Sequence, residues 1–391
     1  MSNSPEQHQP EFSFVLPCLN EVLTLEVCVK KCRIAAEKNN IDIEIVVADN
    51  GSNDGSIALA ESLGCRVVHV EKKGYGSALI SGIKAAKGEF VVMGDADDSY
   101  DFSDIEHFVV NLRNGADIVI GNRFKGGVQP GAMPPLHRYL GNPVLSFLGR
   151  IFYNTDIGDF HCGLRGFRRE KVLSLGLRCS GMEFASEMLC KAVIHKFNII
   201  ETPIKLYPDG RDRAPHLRSW RDGWRHLRFL LIHSPNWLFI YPGLLLTVLG
   251  ALLGGSLLGG PIEVSFGRLD VSALVFSSAF LLLGLQMLGL GCLTKIFHHR
   301  LYTPDHKPPL FANITVEKVL IVGSICLLGG MVGAFYSLGQ WQANNFGNLD
   351  PTVILRSVVP SVTGILAGGL LLINGLVLGV IESLTGLDQD N

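Results

Sequence analysis

The sequence predicts an α/β domain with a mainly parallel sheet, followed by a membrane domain of four spanning helices. Three observations lead to that fold class. Strand-like apolar runs alternate with helical stretches up to about residue 230. Polar, partly acidic clusters sit at the carboxyl ends of those runs. The remainder of the chain holds four long stretches with no Asp, Glu, Lys or Arg.

Phe12–Leu16 is a short apolar run ended by Pro17, and a helical stretch over about 24–38 follows. Ile41–Ala48 (IDIEIVVA) is rich in β-branched residues and reads as a buried strand. Gly74–Lys87 looks helical, and Phe90–Met93 and Ala116–Ile120 are further strands. Strands alternating with helices predict a mainly parallel sheet, whose ligands bind at the carboxyl ends of the strands. The polar clusters fall there: Asn20-Glu21, Asp49–Gly55, Asp95–Ser99 and Gly121–Arg123. A dinucleotide-binding unit would need G-x-G-x-x-G after the first strand, where this chain has "PCLNE". Gly74-x-Gly76 follows Lys72-Lys73 instead, which excludes that class.

The 391 residues carry a net charge of −2. The uncharged runs are Ser234–Ile262, Val271–Thr294, Val319–Leu349 and Ser357–Ile381. A spanning helix needs roughly 20 apolar residues, so spans are expected at about 237–260, 271–293, 319–339 and 358–381. These belong to a membrane domain over 234–391, behind a first domain over 1–230. The amino terminus lacks the basic-then-apolar pattern of a signal peptide. Lys295, Arg300, Lys307 and Lys318 crowd the second loop, whereas the outer two hold Arg268 and Arg356 alone. Positive charge on the cytoplasmic side then puts the first domain, both termini and the 295–317 loop on the cytoplasmic side of the plasma membrane. Nine cysteines without a C-x-x-C pair suit a reducing compartment.

"FVVMGDADDSYDF" (90–102) poses the chemical question. A strand runs straight into Asp95, Asp97, Asp98 and Asp101, whose like charges repel. One reading is an acidic turn, since Asp favours turns. The other is a divalent cation held by hard carboxylate oxygens.

"VLPCLNE" (15–21), "IVVADNGSNDGS" (45–56), "KKGYGSALISGIKAAKGEFVVMGDADDSYD" (72–101) and "IGNRF" (120–124) stand in the order seen in family-2 glycosyltransferases. The chain resembles, more narrowly, dolichyl- or polyprenyl-phosphate sugar synthases. The resemblance spans roughly 12–230 and implies a GT-A-like nucleotide-diphospho-sugar transferase domain. It implies that Asp95 and Asp97 hold Mg²⁺ or Mn²⁺ at the donor diphosphate, with Ser99 as a second polar group on the metal side. It also implies that Pro17, Asn20, Glu21, Asp49, Asp95 and Ala96 line the donor. Asp54 reads as structural, and Asp98 departs from the small or apolar residue common in relatives. Asp159 falls where relatives carry a conspicuous Asp, often called the base. A lipid phosphate is already ionised at neutral pH, so Asp159 is as well suited to orienting Arg165 or another basic group.

On the acceptor side, Arg123 follows a strand and should point into the site. Residues 137–153 place Leu140, Val144, Phe147, Leu148 and Ile151 on one helical stripe. Asn142-Pro143 reads as N-cap and first helical residue, and such a helix start beside Arg138 would suit a phosphate. Over 217–232, Arg218, Arg221, Arg225 and Arg228 share one face, with Trp220, Trp224, Leu227 and Leu231 on the adjacent face. Basic and Trp-rich faces side by side predict a helix in the membrane interface. By the resemblance, Arg211 or Arg213 holds the lipid phosphate. Glu183 and Glu187 read as structural.

The expected activity is inverting transfer of a hexose from a nucleotide sugar, of UDP-glucose or GDP-mannose type, to a polyprenyl phosphate at the cytoplasmic face. The expected partners are the nucleotide sugar, the lipid phosphate and the membrane, with no nucleic acid; a homo-oligomer is left open. Three alternatives stand beside it. A processive polysaccharide synthase would carry Q-x-x-R-W, where "LRSWRDGW" has no such Gln. Transfer to a diacylglycerol hydroxyl would need a base. A non-catalytic transporter or scaffold would not need Asp95, Asp97 and Arg123 intact.

Overall fold

The computed structural model describes residues 9–211, 219–265, 267–302 and 314–384. The chain divides into two compact units, 1–233 and 234–391.

Among the described residues, the first unit is built on seven strands. They are β1 (Phe12–Cys18), β2 (Ile43–Asp49), β3 (Arg66–His69), β4 (Phe90–Met93), β5 (Ile118–Asn122), β6 (Arg165–Arg168) and β7 (Ile199–Pro203), in the order β3-β2-β1-β4-β6-β5-β7. All run parallel except β6, which is antiparallel to both neighbours. The central strands are buried on both faces, as parallel sheets are: Phe12, Phe14, Val15 and Leu16 of β1 have no exposed surface. Pro17 does not end β1, which continues to Cys18 opposite Asp49. Its pairing with β4 stops at Val15↔Met93, so the missing N–H of Pro17 costs nothing on that side.

Helices α1 (Leu25–Asn39), α2 (Ser56–Ser62), α3 (Tyr75–Ala85) and α4 (Glu106–Arg113) follow successive strands. In α1, Leu25, Cys28, Val29, Cys32 and Ala35 recur at helical spacing and all are buried. The short α5 (Arg123–Gly126) comes next, then α6 (Asn142–Tyr153), α7 (Arg169–Ser174), α8 (Phe184–Ile194) and α9 (Ser219–Ile232). A π-helical turn, His137–Gly141, runs directly into α6. Asn142 therefore sits inside a continuous helix with φ −65° and ψ −44° and is not an N-cap. The helical turns begin at Pro134, whose carbonyl accepts from His137 and Arg138 N–H, because consecutive prolines suit a first turn that needs no donors.

Among the described residues, the second unit holds four helices long and apolar enough to cross a membrane. They are α10 (Tyr241–Leu258), α11 (Val271–Tyr302), α12 (Val316–Ala343) and α13 (Pro351–Leu384). A two-stranded hairpin, β8 (Ile262–Val264) and β9 (Gly267–Leu269), joins the first two. α10 packs on α11, α12 on α13, and α11 on α13. Small residues allow the close approach: a Cβ on Gly330 would lie 2.5 Å from Ile365 N. Asn374 donates to Gln286 at 3.2 Å between α13 and α11, and Arg356 pairs with Asp270 near the hairpin.

Candidate active site

The loops after β1 and β2 are stitched to each other. Asn20 adopts φ 60°, which Asn tolerates better than most residues. Its N–H donates to Ser52 Oγ at 2.9 Å, and its Oδ1 accepts from Asn53 N–H at 2.8 Å. Glu21 N–H donates to Ser56 Oγ, and Val22 N–H to Asp54 Oδ2; Asp54 is structural, as the sequence indicates. Asp49 is buried, and its carboxylate accepts from Gly51 and Ser52 N–H at 2.9 and 3.0 Å. It holds the turn of its own loop.

Asp95 and Asp97 follow β4. Asp97 Oδ1 accepts from Ser99 N–H at 3.1 Å and from its hydroxyl at 2.6 Å, so Ser99 orients Asp97. The other oxygen, Oδ2, meets Arg211 Nη1 at 3.1 Å. Arg211 also donates to Glu21, through Nε at 3.0 and 3.1 Å and Nη2 at 2.7 Å. Burial, and then the charge of Asp97, pushes the Asp95 carboxyl up to about 6; a Tyr75 hydrogen bond and the charges of Arg211 and Arg123 pull the other way. Ala96 contributes its carbonyl, which accepts from the Thr24 hydroxyl at 2.6 Å. Asp98 adopts φ 63° and pairs with Lys31 on α1 at 2.7 Å, away from Asp97.

A second cluster lies between α5 and the loop before β6. Asp159 is wholly excluded from solvent and receives Arg123 Nε at 2.7 Å and Nη2 at 2.8 Å. Glu201 on β7 accepts from Gly158 and Asp159 N–H at 2.7 and 2.9 Å and so fixes the loop. Arg165, also without exposed surface, donates to the carbonyls of Phe160, Cys162 and Ala185. The group that Asp159 orients is therefore Arg123 and not Arg165.

Burial, and then the charge of Arg123, pushes His137 down, in the π-helical turn that leads into α6. Arg138 stacks beside its neighbour Tyr139 at 5.5 Å. Asn142 donates to Met133 Sδ at 3.4 Å, and no helix start for a phosphate exists there. Arg213 lies outside the described residues, as does Arg218. Glu187 holds Arg178 N–H, Cys179 N–H and Lys191, a structural role. The sequence reading misses Glu201, Tyr75 and a trio in which the buried Ser186 Oγ meets the buried His226 Nδ1 at 2.9 Å and the part-buried His161 Nε2 at 3.4 Å. No spacing signal marks them, because their partners come from distant segments.

Asp97 Oδ2 and the Asp95 carboxylate are hard oxygen donors two residues apart, the charge of Asp97 acts on Asp95, and the Arg211 guanidinium meets Asp97. That donor set fits a divalent cation that takes most of its ligands from water and phosphate oxygens. Among the described residues no group of three or more His, Cys, Asp or Glu converges on one point, so the fit is to a shared site and not to an all-protein cage.

Residues 13–176 match the model for glycosyl transferase family 2, and residues 292–382 match the family-2 C-terminal transmembrane region. The low-salt glycan biosynthesis hexosyltransferase Agl6 of Haloferax volcanii is 33% identical over 347 residues, 88% of this chain and 83% of that one. The chain belongs to the family-2 glycosyltransferases. A dolichyl-phosphate hexose transferase of the same organism is 30% identical over 159 residues, 41% of this chain and 68% of that one. A glucosyl-3-phosphoglycerate synthase of Mycobacterium tuberculosis, solved with Mn²⁺, UDP-glucose and phosphoglyceric acid, is a more distant likeness. It has 22% identity and a TM-score of 0.45 over 57% of this chain and 80% of that one. By its family matches and its mostly parallel sheet, this family-2 glycosyltransferase joins a GT-A-like domain to a membrane-integral carboxyl-terminal region, as its sequence predicts.

Proposed function

We propose that the protein transfers a hexose from a nucleotide sugar to a polyprenyl phosphate, with inversion, at the cytoplasmic face of the plasma membrane. The observation that carries this reading is the commitment of Asp159. Both its oxygens serve Arg123, so the carboxylate best placed to be a base is engaged as a counter-ion. A hydroxyl acceptor needs a base. A phosphate monoester has a second pKa near 6 and brings its own charge, so it needs only positioning and screening.

On this reading the lipid phosphate oxygen attacks the anomeric carbon in line as the nucleoside diphosphate leaves. Arg123, held rigid by Asp159, presents a fixed positive charge to the incoming phosphate. Pro17, Asn20, Glu21, Asp49 and the Asp95–Ala96 backbone shape the donor side. Asp97, through Oδ2, and Asp95 would hold Mg²⁺ or Mn²⁺, which supplies charge screening at the donor diphosphate. Arg138 and Arg211 or Arg213 add positive charge on the acceptor side.

The helices α6 and α9 pack on each other and turn apolar side chains outward. Trp220 is 80% exposed and Trp224 58%, with Leu140 exposed on the π-helical turn and Val144 and Phe147 on α6. Such faces suit helices lying in the membrane interface, where a lipid phosphate is met. The relatives named for hexosyl transfer, one of them from dolichyl phosphate chemistry, support the same substrate class.

The test is a panel of nucleotide sugars with radiolabelled hexose, purified protein and polyprenyl phosphate, polyprenol or diacylglycerol. Product is expected from polyprenyl phosphate alone, and it should release sugar in mild acid. Product from diacylglycerol, with none from polyprenyl phosphate, overturns the reading and leaves the fold standing.

A further inference from the structure

Arg211 stands at the end of a segment that crosses the acidic turn. Tyr207 N–H donates to Ser99 O at 3.0 Å, and Gly210 N–H donates to Asp97 O at 2.9 Å. Gly210 also lies close against Thr24, where a Cβ would come within 2.9 Å of Cγ2. The backbone base of Arg211 is therefore fixed, while its guanidinium spans two carboxylates from different strand ends. It makes three contacts of 2.7–3.1 Å with Glu21 and one of 3.1 Å with Asp97 Oδ2. The geometry at Asp97 is asymmetric. Oδ1 is taken by the Ser99 N–H and hydroxyl, which leaves Oδ2 as the oxygen that any cation must use.

We infer that Arg211 and a divalent cation are alternative partners of Asp97 Oδ2, so that cation binding releases the Arg211 guanidinium for an anionic substrate. Two positive groups within a few ångströms of one oxygen repel, and the guanidinium is the one with somewhere to go. Its hold on Asp97 is a single contact, whereas the one on Glu21 is three. The exchange orders the reaction: cation and donor load first, and only then does the tethered arginine become available to the acceptor phosphate. Arg211 is in this sense a positioning residue whose site depends on whether the donor side is filled. The inference rests on the proposed phosphate acceptor for its second half only.

The test uses full-length protein in detergent and reads Mn²⁺ binding directly, by the loss of the free-ion electron paramagnetic resonance signal, without sugar or lipid. Arg211→Ala removes the competitor and should bind Mn²⁺ at least about fivefold tighter than wild type, as the low end of a coupling between sites of 5–150-fold. Arg211→Gln, closer in shape, should do the same and guards against a folding defect, checked by thermal unfolding. A second titration follows binding of a short polyprenyl phosphate with and without Mn²⁺. Wild type should bind it more tightly with Mn²⁺, and the variants should lose that dependence. Unchanged or weaker Mn²⁺ binding in both folded variants overturns the exchange, whatever the enzyme glycosylates. Tighter Mn²⁺ binding with no lipid-phosphate binding in any protein keeps the exchange and overturns the acceptor reading.

Discussion

Arg123 at the start of α5 and Asp159 in the loop before β6 form a two-point ion pair, Nε to Oδ2 at 2.7 Å and Nη2 to Oδ1 at 2.8 Å. The Arg123 and His161 N–H groups add longer contacts at 3.2 and 3.3 Å. Taking a carboxylate wholly out of water is costly unless its partner stays in place. The pair therefore works as one unit that aims a guanidinium, and Asp159 is a positioning residue.

Asp159→Asn keeps the shape of the side chain and removes its charge. Breaking one partner out of a buried pair typically costs about 3–5 kcal/mol, so the melting temperature should fall. The KM for lipid phosphate should rise more than that for nucleotide sugar, because Arg123 is no longer held. The shape of the pH–rate profile should stay that of wild type. Loss of its acidic limb in the variant would make Asp159 a base after all.

The sheet and the membrane helices were legible because their signals are local. β-branched runs between polar clusters mark β1, β2, β4 and β5, and uncharged runs mark α10 to α13. β6 reads "RGFR", and its burial depends on Arg165 finding three backbone carbonyls from elsewhere; no periodicity announces that. Asn142 misled for a related reason. Asn-Pro is a good helix start in isolation, but Pro134-Pro135 upstream starts the helix earlier, and the π turn carries it through. Of the site, the acidic turn and Arg123 were visible in the motifs. The Arg211 link to Glu21 joins positions 190 residues apart and was not.

The two carboxylates Asp97 and Asp98 are adjacent but face different partners, which makes them a matched pair for substitution. Asp97→Asn should lose Mn²⁺ binding and retain less than a tenth of the transfer activity, while the protein still inserts. Asp98→Asn breaks only a part-exposed contact with Lys31, and Asn accepts the left-handed backbone at that position. Transfer should stay within about threefold of wild type, since such contacts are worth about 0–1 kcal/mol. Equal losses in the two variants would place the cation elsewhere.

Gly76 explains why "GYGS" resembles a phosphate loop without being one. A Cβ there would lie 2.1 Å from Cys179 O and 2.8 Å from Phe184 Cβ, so α3 is docked on the backbone before α8. Gly76→Ala should destabilise by about 1–3 kcal/mol through overpacking. Gly223→Ala on α9 meets nothing within 4 Å and should stabilise by up to about 1 kcal/mol, from helix propensity alone. Thermal unfolding of both variants reads the opposite signs; a fall for each would mean that α9 needs its glycine for another contact.

His226 on α9 gives the fold a pH dependence of known sign. Burial is the main cause that lowers its pKa to about 4, with Arg165 adding to the fall and Asp222 opposing it. Its ring meets Ser186 Oγ, and it stands edge-on to His161 at 4.5 Å. His161 is lowered in the same direction, again by burial first and then by His226. An unfolded chain takes up a proton at His226 near pH 6.5, whereas the folded one resists until about 4. Between those values the unfolded state binds more protons, so stability is complete above about 6.5 and is lost as pH falls toward 4. At about 1.4 kcal/mol per pKa unit, the full loss is about 3 kcal/mol for this ring. His226→Gln keeps a polar side chain near Ser186 and removes the titration. The variant should begin somewhat less stable at pH 7.5, and its melting temperature should decline less steeply between pH 6.5 and 4.5 than that of wild type. Parallel curves for the two proteins would mean that the wild-type ring takes its proton in the folded state, and that the contact with Ser186 does not depend on a neutral imidazole.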